Sequence, residues 1–325
     1  MTHPSSMRAI EVSGYDGPDA MRMVERPVPR PLPGEVLIKV LAAGVNFADS
    51  MQARGTYVGG PVPPYAAGFE ACGEIVGLGE GDIRWPIGAK VIAFGQGSFA
   101  EYMTSNAMTL LALPEGWSPA QGAALGANWL TAYAAVKLVA DVKPGQTVLI
   151  HAAAGGVGQA AVRLAKHFGA RVFATASTYE KLKIAKQLGA DELINYIEQD
   201  FVSEVKKRTD GHGVDVILES AGGEIFRRNF EAVVPYGKII VYGVSGGSAS
   251  IDNVDLLFKH PVQLIGLNMA IQRQFMQQIF PMLGELIASK VIAPSEPSRH
   301  PLKDAAKLVA DIEARKTSGK HVLVP

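Results

Sequence analysis

Three glycines open the stretch of this sequence best suited to chemistry, "HAAAGGVGQAAVRLAKHFGA", residues 151–170. Gly155, Gly156 and Gly158, with Val157 among them, fall between the apolar run "TVLIHA" and a helix-like segment. A phosphate needs backbone N–H donors at a helix N-terminus, and residues without side chains let it come close. This is the context that a dinucleotide-binding turn demands. The first glycine of the usual fingerprint is absent, because Ala153 stands there. A tight turn that binds nothing would share the same local pattern.

A second polar group closes the next strand-like run, "ATASTYEK", residues 174–181. NAD-specific folds place Asp or Glu there, on the ribose hydroxyls. Here Ala176 takes that position. Ser177, Thr178 and Lys181 offer hydroxyls and a positive charge instead, which suits the 2′-phosphate of NADPH. The competing reading is local: Ser177 and Glu180 form an S-x-x-E capping box, and Lys181 is merely solvated.

These residues need strands and helices to hold them. From Gln146 onward, strands and helices alternate. "TVLIHA", "RVFATA", "ELINY", "VDVILES", "KIIVYG" and "VQLIGLN" read as six strands. Their continuous apolar character fits buried parallel strands of a doubly wound α/β sheet. The helix after the glycine turn carries Val157, Ala161, Leu164, Ala165 and Phe168 on one face and stops at Gly169. "VQLIGLN" lacks a convincing helix before it and reads as an edge strand. Gly243 and Val244 end the fifth strand, where open α/β sheets present ligands.

The first 120 residues have a different texture. "EVLIKVLAAGVN" alternates at Val36, Ile38 and Val40. "GFEACGEIVGLG", "AKVIAFG" and "FAEYMTS" follow as short strands between glycines and prolines. This suggests a small barrel. "SPAQGAALGANWLTAYAAVKLV" then reads as a helix started by Ser118 and Pro119. The closing part reads as a helix near "QRQFMQQIFPMLGELIASKV", a second near "LKDAAKLVADIEARKT", and the strand "KHVLVP".

The bulk numbers narrow the function classes. The chain has 325 residues, 48% hydrophobic and 19% charged, with 31 basic and 31 acidic side chains. Two domains with large cores fit that length. A net charge of zero favours neither nucleic acid nor an anionic membrane. No stretch reaches the roughly 20 apolar residues of a membrane span. The start lacks the apolar core of a secretory signal. One cysteine, Cys72, allows no internal disulfide and no cysteine-based zinc cluster, so a cytoplasmic location is expected.

Taken in order, several segments resemble one family. They are "AAGVNFADSMQARGTY", "GFEACGEIVGLGEG", "NWLTAY", "HAAAGGVGQAAVRLAKHFGA" and the closing "HPLKDAAKLVADIEARKTSGKHVLVP". Together they resemble the zinc-free quinone oxidoreductases, the zeta-crystallin-like branch of the medium-chain dehydrogenase/reductases. The resemblance implies a Rossmann domain over 126–268 and a GroES-like catalytic domain over 1–125 and 269–325. It implies NADPH as cofactor, with Lys181 and Tyr196 on its phosphate and Arg315 as a further contact. It places Asn46 and Tyr57 beside the nicotinamide pocket. Thr131 reads either as a contact at the nicotinamide end or as an ordinary helix hydroxyl, and Phe69 and Tyr65 either as apolar walls or as barrel packing. Zinc-dependent relatives carry a cysteine at the position of Asn46 and a histidine at the position of Phe69. Glu70 and Asp49 alone cannot rebuild such a site.

Without a Lewis acid, a hydride acceptor that needs little polarisation is favoured: a quinone or an α,β-unsaturated carbonyl. Enoyl-thioester reduction and a non-catalytic, crystallin-like NADPH-binding role are the alternatives. A homodimer is expected by resemblance, with "VQLIGLNM" as the candidate pairing strand.

Overall fold

The computed structural model describes residues 4–269, 273–293 and 296–325. The chain divides into two compact units. One comprises Met1–Ala127 and Pro294–Pro325, the other Asn128–Ala293.

The first unit opens with strands β1 (Ser6–Val12), β2 (Met21–Pro27) and β3 (Glu35–Val45), then helix α1 (Phe47–Ala53). Strands β4 (Tyr65–Ala66), β5 (Glu70–Leu78), β6 (Lys90–Phe94), β7 (Tyr102–Asn106) and β8 (Leu111–Ala112) follow. Helix α2 (Pro119–Tyr133) carries the chain into the second unit. There the order is β9 (Thr147–Ile150), α3 (Gly156–His167), β10 (Arg171–Ala176), α4 (Tyr179–Gln187), β11 (Glu192–Asn195) and α5 (Phe201–Arg208). It continues with β12 (Val214–Glu219), α6 (Gly223–Ala232), β13 (Val233–Val241), α7 (Asn253–Phe258), β14 (Gln263–Gly266) and α8 (Arg273–Ala288). The return to the first unit is β15 (Ser298–Pro301), α9 (Ala305–Glu313) and β16 (His321–Val324).

In the first unit, β3 is the axis. It pairs with β5, β7 and β16, and the seven-stranded sheet runs β15-β16-β3-β5-β6-β8 with β7 on β3. A smaller sheet runs β2-β1-β4. The alternation at Val36, Ile38 and Val40 faces one core with Ile75, Phe99, Met103 and Leu308. Leu37, on the opposite face, is buried in a second cluster with Met7, Ala9 and Ala100. Thus β3 is covered on both sides, which fixes its register tightly.

The second unit is a six-stranded parallel sheet in the order β11-β10-β9-β12-β13-β14. Counted within the unit this is the doubly wound order 3-2-1-4-5-6, with the switch point beside the first strand, β9. Val148, Leu149 and Ile150 of β9 are fully buried. Ala161, Leu164 and Ala165 form the buried stripe of α3, and Gly169 ends it at φ 81°. Ser118 Oγ accepts from Gln121 N at 3.1 Å, and Pro119 opens α2, as the sequence indicates.

Three expectations need correction. Helix α7 does precede the edge strand β14; its six residues are too few to show a clear helical period. The cap of α4 is Thr178, whose hydroxyl accepts from Lys181 N at 3.3 Å, and the helix starts at Tyr179, so the Ser177–Glu180 capping box does not form. Finally, residues 269–293 belong with the second unit. Ile279, Leu283 and Leu286 of α8 are buried, and Arg163 donates to Ala293 O at 2.9 Å, holding this stretch to α3.

The cap assignment yields a direct test. Thr178→Ala is expected to lower the stability of the cofactor-free protein by about 1 kcal/mol, while Ser177→Ala leaves it nearly unchanged. Urea denaturation of the two variants checks this.

Candidate active site

The first unit buries a charged cluster at the junction of β3 and α1. Asn46 occupies the residue between these elements. Its N–H donates to Asp49 Oδ2 at 2.7 Å, which satisfies one donor of the helix start. The Asn46 side chain points elsewhere: Nδ2 donates to Glu70 Oε1 at 2.8 Å, and Oδ1 accepts from Lys320 Nζ at 2.6 Å. Lys320 Nζ also lies 2.5 Å from Glu70 Oε1. Ala127 N donates to Glu70 Oε2 at 2.6 Å. The Glu70 side chain is 1% exposed and that of Lys320 is 10% exposed. The fit is tight, since a Cβ on Gly44 or on Gly126 would overlap the Glu70 carboxylate.

One amide N–H of Asn46 thus serves Glu70, and the amide carries a second N–H besides. Tyr57 lies past α1 and is half-buried. Burial first, and the Asp49 charge second, raise its phenol pKa, so it keeps its proton at neutral pH. Burial pushes Asp49 up to about 7, against the opposing effects of the Asn46 N–H and Lys320. Tyr65 is buried and pushed up to about 12, mainly by desolvation. It is thus a polar group as well as a wall. Phe69 is half-buried beside Glu70 in sequence.

In the second unit, the turn after β9 explains the missing glycine. Ala152, not Ala153, takes the left-handed conformation, at φ 48°. Ala153 is fully buried and donates to Thr175 O at 3.1 Å. Its position calls for a small side chain and makes no demand for positive φ. Gly155 is the N-cap of α3, and its N–H donates to Ala152 O at 2.8 Å. The next N–H groups, those of Gly156, Val157 and Gly158, start the helix and lie outside its own ladder. A Cβ on Gly158 would overlap Ala152 O and Ala153 Cα, so helix and turn approach as only glycine permits. The turn therefore fits a pyrophosphate.

The other candidate cofactor residues of this unit, Thr131 on α2 apart, follow the carboxyl ends of its strands. Ala176 ends β10 beside Asn195 of β11, and Tyr196 N donates to Ala176 O at 3.2 Å. Ser177 and Lys181 are half-buried at the start of α4. Freed from the capping role, Ser177 can address a ligand. A carboxylate does stand nearby, at Glu198, but Tyr179 OH and Asn195 Nδ2 donate to it at 3.0 and 2.9 Å. Gly243 and Val244 follow β13 and line an opening of about 370 Å³ with Gly222, Phe226 and Leu264. Thr131 is half-buried on α2. Arg315 belongs to the first unit, exposed after α9 at φ 58°.

A buried chain that the sequence reading missed holds these loops. His151 Nδ1 meets Thr175 Oγ1 at 2.9 Å, and Nε2 meets Asn229 Oδ1 at 2.7 Å. Asn229 Nδ2 donates to Glu219 Oε2. Glu219 Oε1 accepts from Ala221 N at 2.5 Å and Gly222 N at 2.7 Å. Burial lowers the His151 pKa, so the ring is neutral at physiological pH. The chain links the ends of β9, β10 and β12 to α6. Its only sequence signal was a pair of polar residues, His151 and Glu219, at the ends of apolar strands.

Comparison with known proteins places this geometry. Residues 32–115 match the family described as Alcohol dehydrogenase GroES-like domain, and residues 156–285 match that described as Zinc-binding dehydrogenase. Human quinone oxidoreductase is 32% identical over 323 residues, 98% of each chain. A mycobacterial structure complexed with NADPH superposes with a TM-score of 0.92 at 34% identity, covering 98% of this chain and all of that one. Escherichia coli quinone oxidoreductase complexed with NADPH gives 0.91 at 30% identity, with the same coverage.

One of those descriptions implies zinc, and the residues here do not fit it. Against the Glu70 carboxylate stand the Asn46 amide and the Lys320 ammonium. The Lys320 cation already takes the carboxylate oxygen that a metal would need. Among the described residues no three His, Cys, Asp or Glu are grouped to hold a metal.

Two outcomes are expected. Lys320→Met leaves Glu70 buried without its cation and costs roughly 3–5 kcal/mol, and adding Glu70→Gln recovers most of that loss. Denaturation of the single and double variants measures the coupling. Ala153→Gly, which restores the fingerprint glycine, removes a buried methyl and loosens the turn. It should cost about 1 kcal/mol and leave NADPH affinity no better, by titration of cofactor fluorescence.

Proposed function

This chain belongs to the quinone oxidoreductase family, in the zinc-free branch of the medium-chain dehydrogenase/reductases, and we propose that it reduces quinones or α,β-unsaturated carbonyls with NADPH. The observation that carries this reading is the first unit's cluster: the Lys320 cation donates to Asn46 Oδ1 and Glu70 Oε1, and no metal-ligand group stands among the described residues. NADPH, when bound, supplies the hydride. Gly156, Val157 and Gly158 would hold the pyrophosphate through their N–H groups. Ser177, Lys181 and Tyr196 would hold the 2′-phosphate, and Thr131, Gly243 and Val244 the nicotinamide.

Hydride arriving at a quinone or at the β-carbon of an enone leaves negative charge on the substrate oxygen. Donors already aimed at that oxygen stabilise it without reorganisation. The second Asn46 N–H and the Tyr57 O–H would serve as such donors. Lys320, hydrogen-bonded to Asn46 Oδ1, polarises that amide and makes it a better donor. The protein thus replaces a point Lewis acid with a hydrogen-bonded cation held one residue away.

The reading includes a homodimer and a cytoplasmic location. β14 is an edge strand and Leu264 on it is exposed, which supports pairing with a second copy. The single, buried cysteine suits a reducing compartment. No described helix is long and apolar enough to cross a membrane.

A panel of quinones, enones and enoyl thioesters, each with NADPH and NADH, tests the reading. Turnover of 1,2-naphthoquinone or simple enones is expected, with preference for NADPH that shrinks at least about tenfold in Lys181→Ala. Tyr57→Phe is expected to lower kcat. Activity confined to enoyl thioesters would favour that alternative, and no activity with any of them would favour a binding role.

A further inference from the structure

Three buried polar atoms around α1 find no hydrogen-bond partner in the protein: Asp49 Oδ1, Gln52 Oε1 and Tyr65 OH. Their residues are 2%, 7% and 7% exposed. Asp49 and Gln52 are three apart on α1 and so share one face of it. Tyr65 feels the Asp49 charge, as does Tyr57. Gln52 also flanks Tyr57, because a Cβ on Gly60 would touch both side chains. Buried polar atoms are normally paired. Three orphans in one neighbourhood call for a shared guest, a water molecule or a substrate oxygen, that hydrogen-bonds among them.

We propose that Asp49 is the proton reservoir of the reduction, releasing its carboxyl proton from Oδ1 through this guest and the Tyr57 phenol to the reduced substrate. The proposal rests on the NADPH-dependent reduction argued above. In the step, NADPH gives a hydride and its two electrons to the quinone or enone. The substrate anion takes the Tyr57 proton. Tyr57 takes the Asp49 proton along the chain. Asp49 is left as carboxylate, and solvent reprotonates it before the next turnover. The sum is NADPH, a proton and the acceptor giving NADP⁺ and the reduced acceptor.

The surroundings suit this role. Glu70 of β5 and Lys320, the residue before β16, act on Asp49 with opposed effects, and they are paired to each other. Tyr57 and Tyr65 face it from the following loop and β4. The charged groups of α9 and of the turn before β2, Glu313 and Asp19, act on Arg54 instead. Burial is thus the dominant influence, and it keeps the carboxyl protonated up to about pH 7. A donor must hold its proton, so the rate falls as pH rises through that value.

The pH profile of kcat tests the assignment, with saturating NADPH and a quinone that wild type reduces. Wild type is expected to lose activity above about pH 7, approaching a tenfold fall per unit. Asp49→Asn keeps the acceptor for Asn46 N–H and removes the proton. It should lower kcat by about 100-fold, abolish the limb, and leave KM for NADPH within about twofold. Asp49→Glu restores a carboxyl and should recover part of both. A wild-type profile flat from about pH 6 to about pH 9, or an Asn variant with wild-type kcat and limb, overturns the proposal. The wild-type profile decides even if Asp49→Asn does not fold. If none of the quinones or enones is reduced by wild type with NADPH at any pH, the reduction reading is overturned as well.

Discussion

The ammonium of Lys320 against the carboxylate of Glu70 is the contact from which the first unit's site is built. A charge pair so little exposed holds only if its geometry is good and its remaining bonds are filled. Asn46 fills one side, donating to Glu70 and accepting from Lys320. The N–H of Ala127 fills another. These demands fix four elements at once: β5 by Glu70, the β3–α1 junction by Asn46, the end of α2 within this unit by Ala127, and the last strand by Lys320. The return of the C-terminal segment to the first unit therefore completes the site as well as the sheet. Gly44 and Gly126 are small because the carboxylate fills the space that a side chain would take.

The second unit solves its own problem with neutral groups. Its carboxyl edge carries backbone donors at the start of α3, and those donors are useful only if the loops hold still. The Thr175, His151, Asn229 and Glu219 chain does this inside the sheet. Glu219 then fixes the Ala221 and Gly222 amides, and the 220–223 loop packs by backbone bonds on 243–247. Both units thus hold a fully buried carboxylate, Glu70 in the first and Glu219 in the second.

Much of this was legible in the sequence wherever a local signal existed. The six strands, the glycine turn and the α3 stripe follow from apolar periodicity and from Gly155 and Gly158. The β3 axis follows from Val36, Ile38 and Val40. What escaped depends on distance or on small offsets. Lys320 meets Asn46 across 274 residues, and nothing in "TSGKHVLVP" distinguishes this lysine from a solvated one. Glu219 reads as the polar end of a strand until Asn229 and His151 are seen around it. The α4 cap sits one residue later than expected because Ser177 and Thr178 are both competent caps, and only backbone geometry chooses between them. The boundary near residue 269 moved to 294 because α8 packs its apolar face on the nucleotide unit, which periodicity alone does not reveal. Ala153 was legible as an anomaly; its explanation needed the φ of Ala152.

We propose that a lysine-polarised amide and a tyrosine take the place of a metal in this reductase. Quinone turnover with NADPH, by protein stripped with a strong chelator and then supplemented with zinc, addresses it most directly. The expected result is the same turnover before stripping, after stripping and after supplementation. Loss of turnover on stripping, with recovery on adding zinc, would contradict it.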